Sequence, residues 1–183
     1  MMDQKNYLTE AEIARFLAAS KKGRHGCRDF ALMLLAYRHG FRVSELLDVR
    51  MSEVDLEGGH IHVRRKKGSL STQQCLEGDE IRALRAWFRE RSLSSFSGQA
   101  FLFLGERGPM TRQAVNYLVG EIGKRAKLNF HIHPHMLRHS CGYALANKGL
   151  DTRLVQDALG HKNIAHTVRY TKTAAKRFEG LWR

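Results

Sequence analysis

His161-Lys162-Asn163-Ile164-Ala165-His166-Thr167-Val168-Arg169-Tyr170-Thr171 completes a pattern that begins at Gly40-Phe41-Arg42-Val43-Ser44-Glu45-Leu46-Leu47 and continues through His133-Pro134-His135-Met136-Leu137-Arg138-His139. Together these stretches supply one phenol able to attack phosphorus and several cationic or hydrogen-bonding groups able to hold a phosphate. A phosphodiester is anionic and repels nucleophiles. Cleaving it without a metal requires rigid, permanently charged donors over its non-bridging oxygens, a need met by the planar fork of arginine. Arg42 and Arg138 are the candidates. Tyrosine, with an ordinary pKa of about 10, is protonated at neutral pH and attacks only from a positive, hydrogen-bonding site. His135 and His161 are the candidates to provide one. Attack by Tyr170 would leave a phosphotyrosine that keeps the energy of the broken bond, so a DNA hydroxyl could reverse the step without ATP. Reversal on a different strand would exchange strands.

Around these stretches the local signals are mostly helical. Thr9 and Glu12 form a capping-box pattern ahead of Ile13, Phe16 and Leu17, and the apolar run from Phe30 to Tyr37 reads as a buried helix ended by Gly40. A further helix from about Ser44 would put Arg42 just before its N-terminus, where backbone N–H groups also favour a phosphate. His60 to Arg64 alternates like a strand, Lys67-Gly68-Ser69 reads as a turn, and Leu70 to Leu76 as the returning strand. Residues 79–91 carry Ile81, Leu84 and Phe88 on one helical face, and Ser92 to Gly98 is a polar linker. Thr111 caps a helix through Ala126. Pro134 suits a first helical position, which places His135 and Arg138 on one face of the next helix. Asp151 caps another helix that stops at Gly160, and Asn163 caps the short one carrying Tyr170. The expected fold class is mainly α with a small antiparallel β-sheet (α+β).

A chain of 183 residues with 43% hydrophobic content has single-domain length and enough apolar material for a core. Lysine and arginine number 31 against 18 acidic residues, a net charge of +13, which points to a polyanionic partner. Apolar runs fall short of the roughly 20 residues of a membrane span, and Met1-Met2-Asp3-Gln4-Lys5-Asn6-Tyr7 has no signal-peptide core. Cys27, Cys75 and Cys141 are odd in number and lack C-x-x-C spacing, as expected of reduced thiols in a cytoplasmic protein. His131, His133, His135 and His139 have spacings that could suit a metal, but Arg138 in their midst would repel a cation. His133 and His139 read better as hydrogen-bonding neighbours of the phosphate site. Neither metal nor cofactor is expected.

On these motifs the chain resembles the tyrosine recombinases, the phage-integrase family. Gly40 to Leu47 is similar to the family's arginine box, with Arg42 as the first catalytic arginine and Glu45 as the acidic residue after it. His135-Met136-Leu137-Arg138 resembles the H-x-x-R box, Leu159-Gly160-His161 the L-G-H box, and Tyr170 falls nine residues later at the nucleophile's position. The resemblance covers about residue 9 to the C-terminus. It implies a catalytic domain in which Arg42, Lys67, His135, Arg138 and His161 assist a Tyr170 that forms an O-(3′-phospho-DNA)-tyrosine. Tyr7, Tyr37, Tyr117 and Tyr143 lie outside that nucleophile context and read as packing or surface residues.

Expulsion of a DNA 5′-oxygen calls for a general acid, which in the family is a lysine at a β-hairpin tip. Lys66 and Lys67 both qualify. The family places a proline eight residues after its lysine, where this chain has Cys75, and that register selects Lys67. Within the family, Ala31 to Gly40, His133 to Tyr143, Asp151 to His161 and Arg177 to Trp182 resemble the short bacterial invertases that switch fimbrial expression. The implied reaction is inversion of DNA between inverted repeats by a homotetramer on paired sites. With 41 residues before Arg42, residues 1–183 are expected to form one catalytic domain without a separate N-terminal clamp, and therefore to lean on partner subunits or accessory DNA-bending proteins. Phe178, Leu181 and Trp182 are expected to pack on the core or on a neighbouring subunit. A catalytically silent DNA-binding regulator and a type IB topoisomerase remain as alternatives.

Overall fold

The computed structural model describes residues 5–65 and 71–172. Eight helices and two small sheets follow in the order α1 (Glu10–Ser20), α2 (Gly26–Arg38), α3 (Val43–Leu47), a 3-10 turn (Met51–Glu53), β1 (Val54–Asp55), β2 (His60–Val63), β3 (Thr72–Cys75), α4 (Gly78–Ser92), β4 (Leu104–Gly105), β5 (Gly108–Pro109), α5 (Arg112–Arg125), α6 (Pro134–Asn147), α7 (Thr152–Leu159) and α8 (Ala165–Thr171). This is the mainly helical α+β class expected. Among the described residues, no helix is long and apolar enough to cross a membrane.

Most helix ends follow from local chemistry. Thr9 Oγ1 accepts the Glu12 N–H while Glu12 Oε2 accepts the Thr9 N–H, closing the capping box of α1. Thr111 caps α5, Pro134 occupies the first turn of α6, and Asp151 Oδ2 accepts the Arg153 N–H at 2.7 Å to start α7. Asn163 Oδ1 does accept the Ala165 N–H at 2.9 Å, but α8 begins one residue later than its cap predicts, with Ile164 in helical backbone at the boundary.

Helix α2 runs through the middle of the molecule and packs against α1, α4 and α6. Leu32, Met33, Leu34 and Leu35 are all buried on it, as expected of an apolar run without a polar face. The three-stranded sheet has the order β1-β2-β3, antiparallel throughout, with Ile61 opposite Gln74 and Val63 opposite Thr72. Ile61 and Val63 point inward and are fully buried, so the alternation read from the sequence sets the sheet's inner face. Strand β1 and the β4-β5 hairpin were not expected.

Two apolar clusters result. The larger gathers α1 to α5, the sheet and the start of α6, including Phe16, Leu84, Trp87, Phe103 and Ile122. The smaller comprises Cys141, Ala146, Val155, Leu159 and Tyr170 from α6, α7 and α8.

Candidate active site

Helix α3 carries the buried carboxylate of Glu45. Arg42 stands in extended backbone immediately before α3, so its N–H meets Glu45 Oε2 at 3.0 Å and its guanidinium meets Oε1 at 2.5 Å. Arg65 Nη1 donates to Oε2 at 3.0 Å, and Arg138 Nη1 lies 4.0 Å from the same oxygen. Burial disfavours the charged carboxyl, but the Arg42 N–H, the Arg42 fork and Arg65 outweigh it and hold Glu45 below the ordinary carboxylate range. Among the described residues, three guanidiniums thus share this carboxylate. The surplus of positive charge makes the pocket receptive to an anion.

Arg138 is held by backbone as well, donating to Gly40 O at 2.5 Å and Leu159 O at 2.7 Å. Burial first, then the neighbouring Arg42 and Arg65, lower its pKa to about 10, which leaves it charged at neutral pH. Its side chain is 5% exposed, that of Arg42 30%. Of these two forks, Arg42 is the one more open to solvent.

Gly160 ends α7 at φ +64°, a conformation glycine adopts at no steric cost, and turns the chain so that His161 faces α8. His161 Nδ1 lies 2.9 Å from Thr167 Oγ1, and its ring stacks nearly parallel to that of Tyr170, 6.1 Å between centroids. Burial, Arg138 and Arg42 push its pKa down to about 3. His139 Nδ1 lies 2.8 Å from the Tyr170 hydroxyl and within reach of Arg169. Burial and Arg169 lower its pKa to about 4. Nδ1 of His139 thus lies between two groups, the Tyr170 hydroxyl and Arg169 Nη2, the latter 2.6 Å away. Exposed His135 has its ring 6.5 Å from that of His139, and its pKa is lowered by partial burial and Arg138.

Tyr170 itself is 1% exposed, covered by Gly142 and by the Tyr143 ring at 5.0 Å. Burial raises the phenol's pKa against the pull of Arg169 and Arg138.

The structure thus brings Arg42 and Arg138 to one carboxylate and places His161 against Tyr170. Burial and neighbouring arginines lower the pKa values of His135, His139 and His161, and the charge beside Glu45 is that of the guanidiniums. His139 turns toward the phenol, where a hydrogen bond to the phosphate site was expected. Lys66 and Lys67 lie outside the described residues, as do Phe178, Leu181 and Trp182. Arg65 was missed by the sequence reading, lost in the run Arg64-Arg65-Lys66-Lys67. A signal existed, because Arg65 is in phase with inward-facing Ile61 and Val63.

Residues 6–177 match the phage integrase family, and the chain belongs to that family of tyrosine recombinases, enzymes that cut and rejoin DNA at specific sites. Over 183 residues it is 45% identical to the type 1 fimbriae regulatory protein FimE of Escherichia coli K12, covering 99% of this chain and 92% of that protein. The likeness to FimB of the same strain is 44% over 180 residues, covering 98% and 90%. Among solved structures, XerH site-specific recombinase bound to a palindromic difH substrate after cleavage superposes with a TM-score of 0.82 at 27% identity. That match covers 95% of this chain, which spans about half (51%) of the XerH chain.

Proposed function

We propose that this recombinase inverts a DNA segment between inverted repeats and so switches fimbrial gene expression. The likeness to two type 1 fimbriae regulatory proteins along nine-tenths of their length carries this reading. In the proposed reaction Arg42 and Arg138 hold the scissile phosphate, with His135 and His161 donating hydrogen bonds to its oxygens once the anion is bound. Tyr170 Oη attacks phosphorus, and the 5′-oxygen leaves with a proton from Lys67. The resulting 3′-phosphotyrosine is attacked by the 5′-hydroxyl of another strand, which releases the phenol and restores the phosphodiester. The clustered guanidiniums around Glu45 support the phosphate assignment, since each supplies charge that needs no protonation event.

Double-stranded DNA bound by four subunits across two sites, with accessory DNA-bending proteins, completes the proposal, and the reaction would take place in the cytoplasm at the nucleoid. DNA trapped covalently on the protein can be sequenced to recover the repeat. A plasmid carrying two copies in inverted orientation should then switch its restriction pattern when this chain is expressed, and the purified reaction should proceed in chelator. Excision of a circle or insertion of an external element as the only product in the native host would refute inversion. Relaxation of plasmids lacking the repeat would instead indicate topoisomerase behaviour.

A further inference from the structure

We propose that Arg65 is a positioning residue of the phosphate pocket: from the end of β2 it fixes the Glu45 carboxylate, and with it Arg42, against the α7 turn that presents His161. The inference rests on Arg42 and Arg138 being the phosphate holders. Strand alternation sends Arg65 inward behind Ile61 and Val63, and its side chain is 0% exposed, so it holds other groups and cannot itself meet DNA in this conformation. Its guanidinium donates from Nη1 to Glu45 Oε2 at 3.0 Å and to Gly40 O at 3.4 Å. From Nη2 it donates to His39 O at 2.7 Å and to Ala158 O.

These acceptors come from three separate parts of the site. Glu45 anchors the Arg42 fork, Gly40 O is shared with Arg138, and Ala158 O belongs to the last turn of α7, where Gln74 Nε2 also donates at 3.2 Å. The α7 turn is moulded on the same side chain, since a Cβ at Gly160 would come within 2.7 Å of Arg65 Cγ. Burying a guanidinium is costly, and a packed apolar residue would serve stability as well. What the arginine adds is geometry. One planar fork sets four acceptors at fixed separations, which a single ammonium cannot do.

The test uses a nicked duplex bearing the repeat recovered from DNA trapped on the wild-type protein. Single-turnover cleavage is measured per DNA-bound subunit, alongside gel-shift affinity and a thermal melt. Arg65→Lys, which keeps a charge opposite Glu45, should bind within about threefold of wild type but cleave about 30-fold more slowly or worse, and Arg65→Met should cleave more slowly still. The defect should persist on a duplex with sulfur at the bridging 5′-position, because sulfur leaves without a proton yet still needs a held phosphate. Unchanged cleavage by Arg65→Lys would overturn the inference. So would rescue by sulfur, which would place Arg65 on the leaving-group side, or a loss fully accounted for by the unfolded fraction. If Arg65→Met does not fold, Arg65→Lys decides alone. Arg42→Lys in the same assay separates the two readings: normal cleavage there would defeat the phosphate pocket itself, whatever Arg65 does.

Discussion

Beside Glu45, Arg138 is tied to the backbone carbonyls of Gly40 and Leu159 and Arg65 to those of Gly40 and His39, whereas Tyr170 rides on a seven-residue helix docked in the smaller cluster. In the first arrangement the Arg65 and Arg138 forks are held redundantly, so losing one bond leaves others, while the Arg42 fork rests on the Glu45 carboxylate that Arg65 also holds. The second packs α8 against Gly142, Tyr143 and the His161 ring, with polar contacts from His139 to the phenol, His161 to Thr167 and Thr152 to Thr171. Helices this short owe their stability to packing. If Arg42 and Arg138 hold the phosphate and Tyr170 is the nucleophile as proposed, the pocket would be set in advance and the active complex would have to uncover Tyr170. Synapsis would act on α8 while the arginines keep their place.

The largest expected effect separates nucleophile from pocket. Tyr170→Phe should bind the recombination site as wild type does and form no covalent adduct on a nicked suicide duplex; an adduct in that variant would move the nucleophile elsewhere. Arg138→Lys should retain binding through its other phosphate contacts but cleave on the order of a hundredfold or more slowly, since lysine cannot span Gly40 O, Leu159 O and a phosphate at once. Cleavage rates near wild type would break the contrast from the pocket side. Lys67→Ala should lose about a hundredfold through the missing general acid and recover on the bridging-sulfur duplex, while Arg42→Ala should not recover. Recovery of Lys66→Ala instead would shift the acid by one residue.

Gly142→Ala tests the docking of α8 directly, because the added Cβ would lie 2.8 Å from the Tyr170 ring. It should cost about 1–3 kcal/mol of stability and make Tyr170 more reactive toward nitration, mapped by mass spectrometry. Unaltered nitration would mean the nucleophile is not caged by this contact. The smallest effect is in acid. His139 and His161 are neutral in the fold, with pKa values of about 4 and about 3, so the unfolded chain takes up protons below its ordinary histidine value of 6.5 that the fold refuses. Their contribution is full above 6.5 and is lost as pH falls toward those values, whereas the Glu45 contribution fades only below the ordinary carboxylate value of 4.5. Between pH 6.5 and 5, the unfolding free energy from denaturant titrations should fall with a slope of at most about 1.4 kcal/mol per pH unit per histidine, and His139→Asn should flatten it.

Local chemistry was legible and long-range chemistry was not. The Thr9–Glu12 box, Pro134 and the Asp151–Gly160 bracket each act within a few residues, so they mark helix ends without tertiary context. Arg42, Arg138, His161 and Tyr170 were singled out through motif spacing, yet spacing says nothing of burial. The neutral histidines and the covered phenol follow from packing that only the fold supplies. Arg65 looked like one more cation in a basic run because its acceptors lie 20 to 93 residues away. Strand β1 and the β4-β5 pair, two residues per strand, are too short to carry a period.

The indole of Trp87 lies in the larger core, stacked near Phe103 and donating to Leu102 O at 2.9 Å, while Tyr170 of α8 meets the ring of Tyr143. The chain has two tryptophans, so Trp182→Phe would leave Trp87 as its single indole emitter. Its fluorescence would then follow the larger core, and the part of the near-ultraviolet tyrosine dichroism that Tyr170→Phe removes would follow the seating of Tyr170 against Tyr143. The two regions can be watched at separate wavelengths without a label, and the order in which they loosen read off directly.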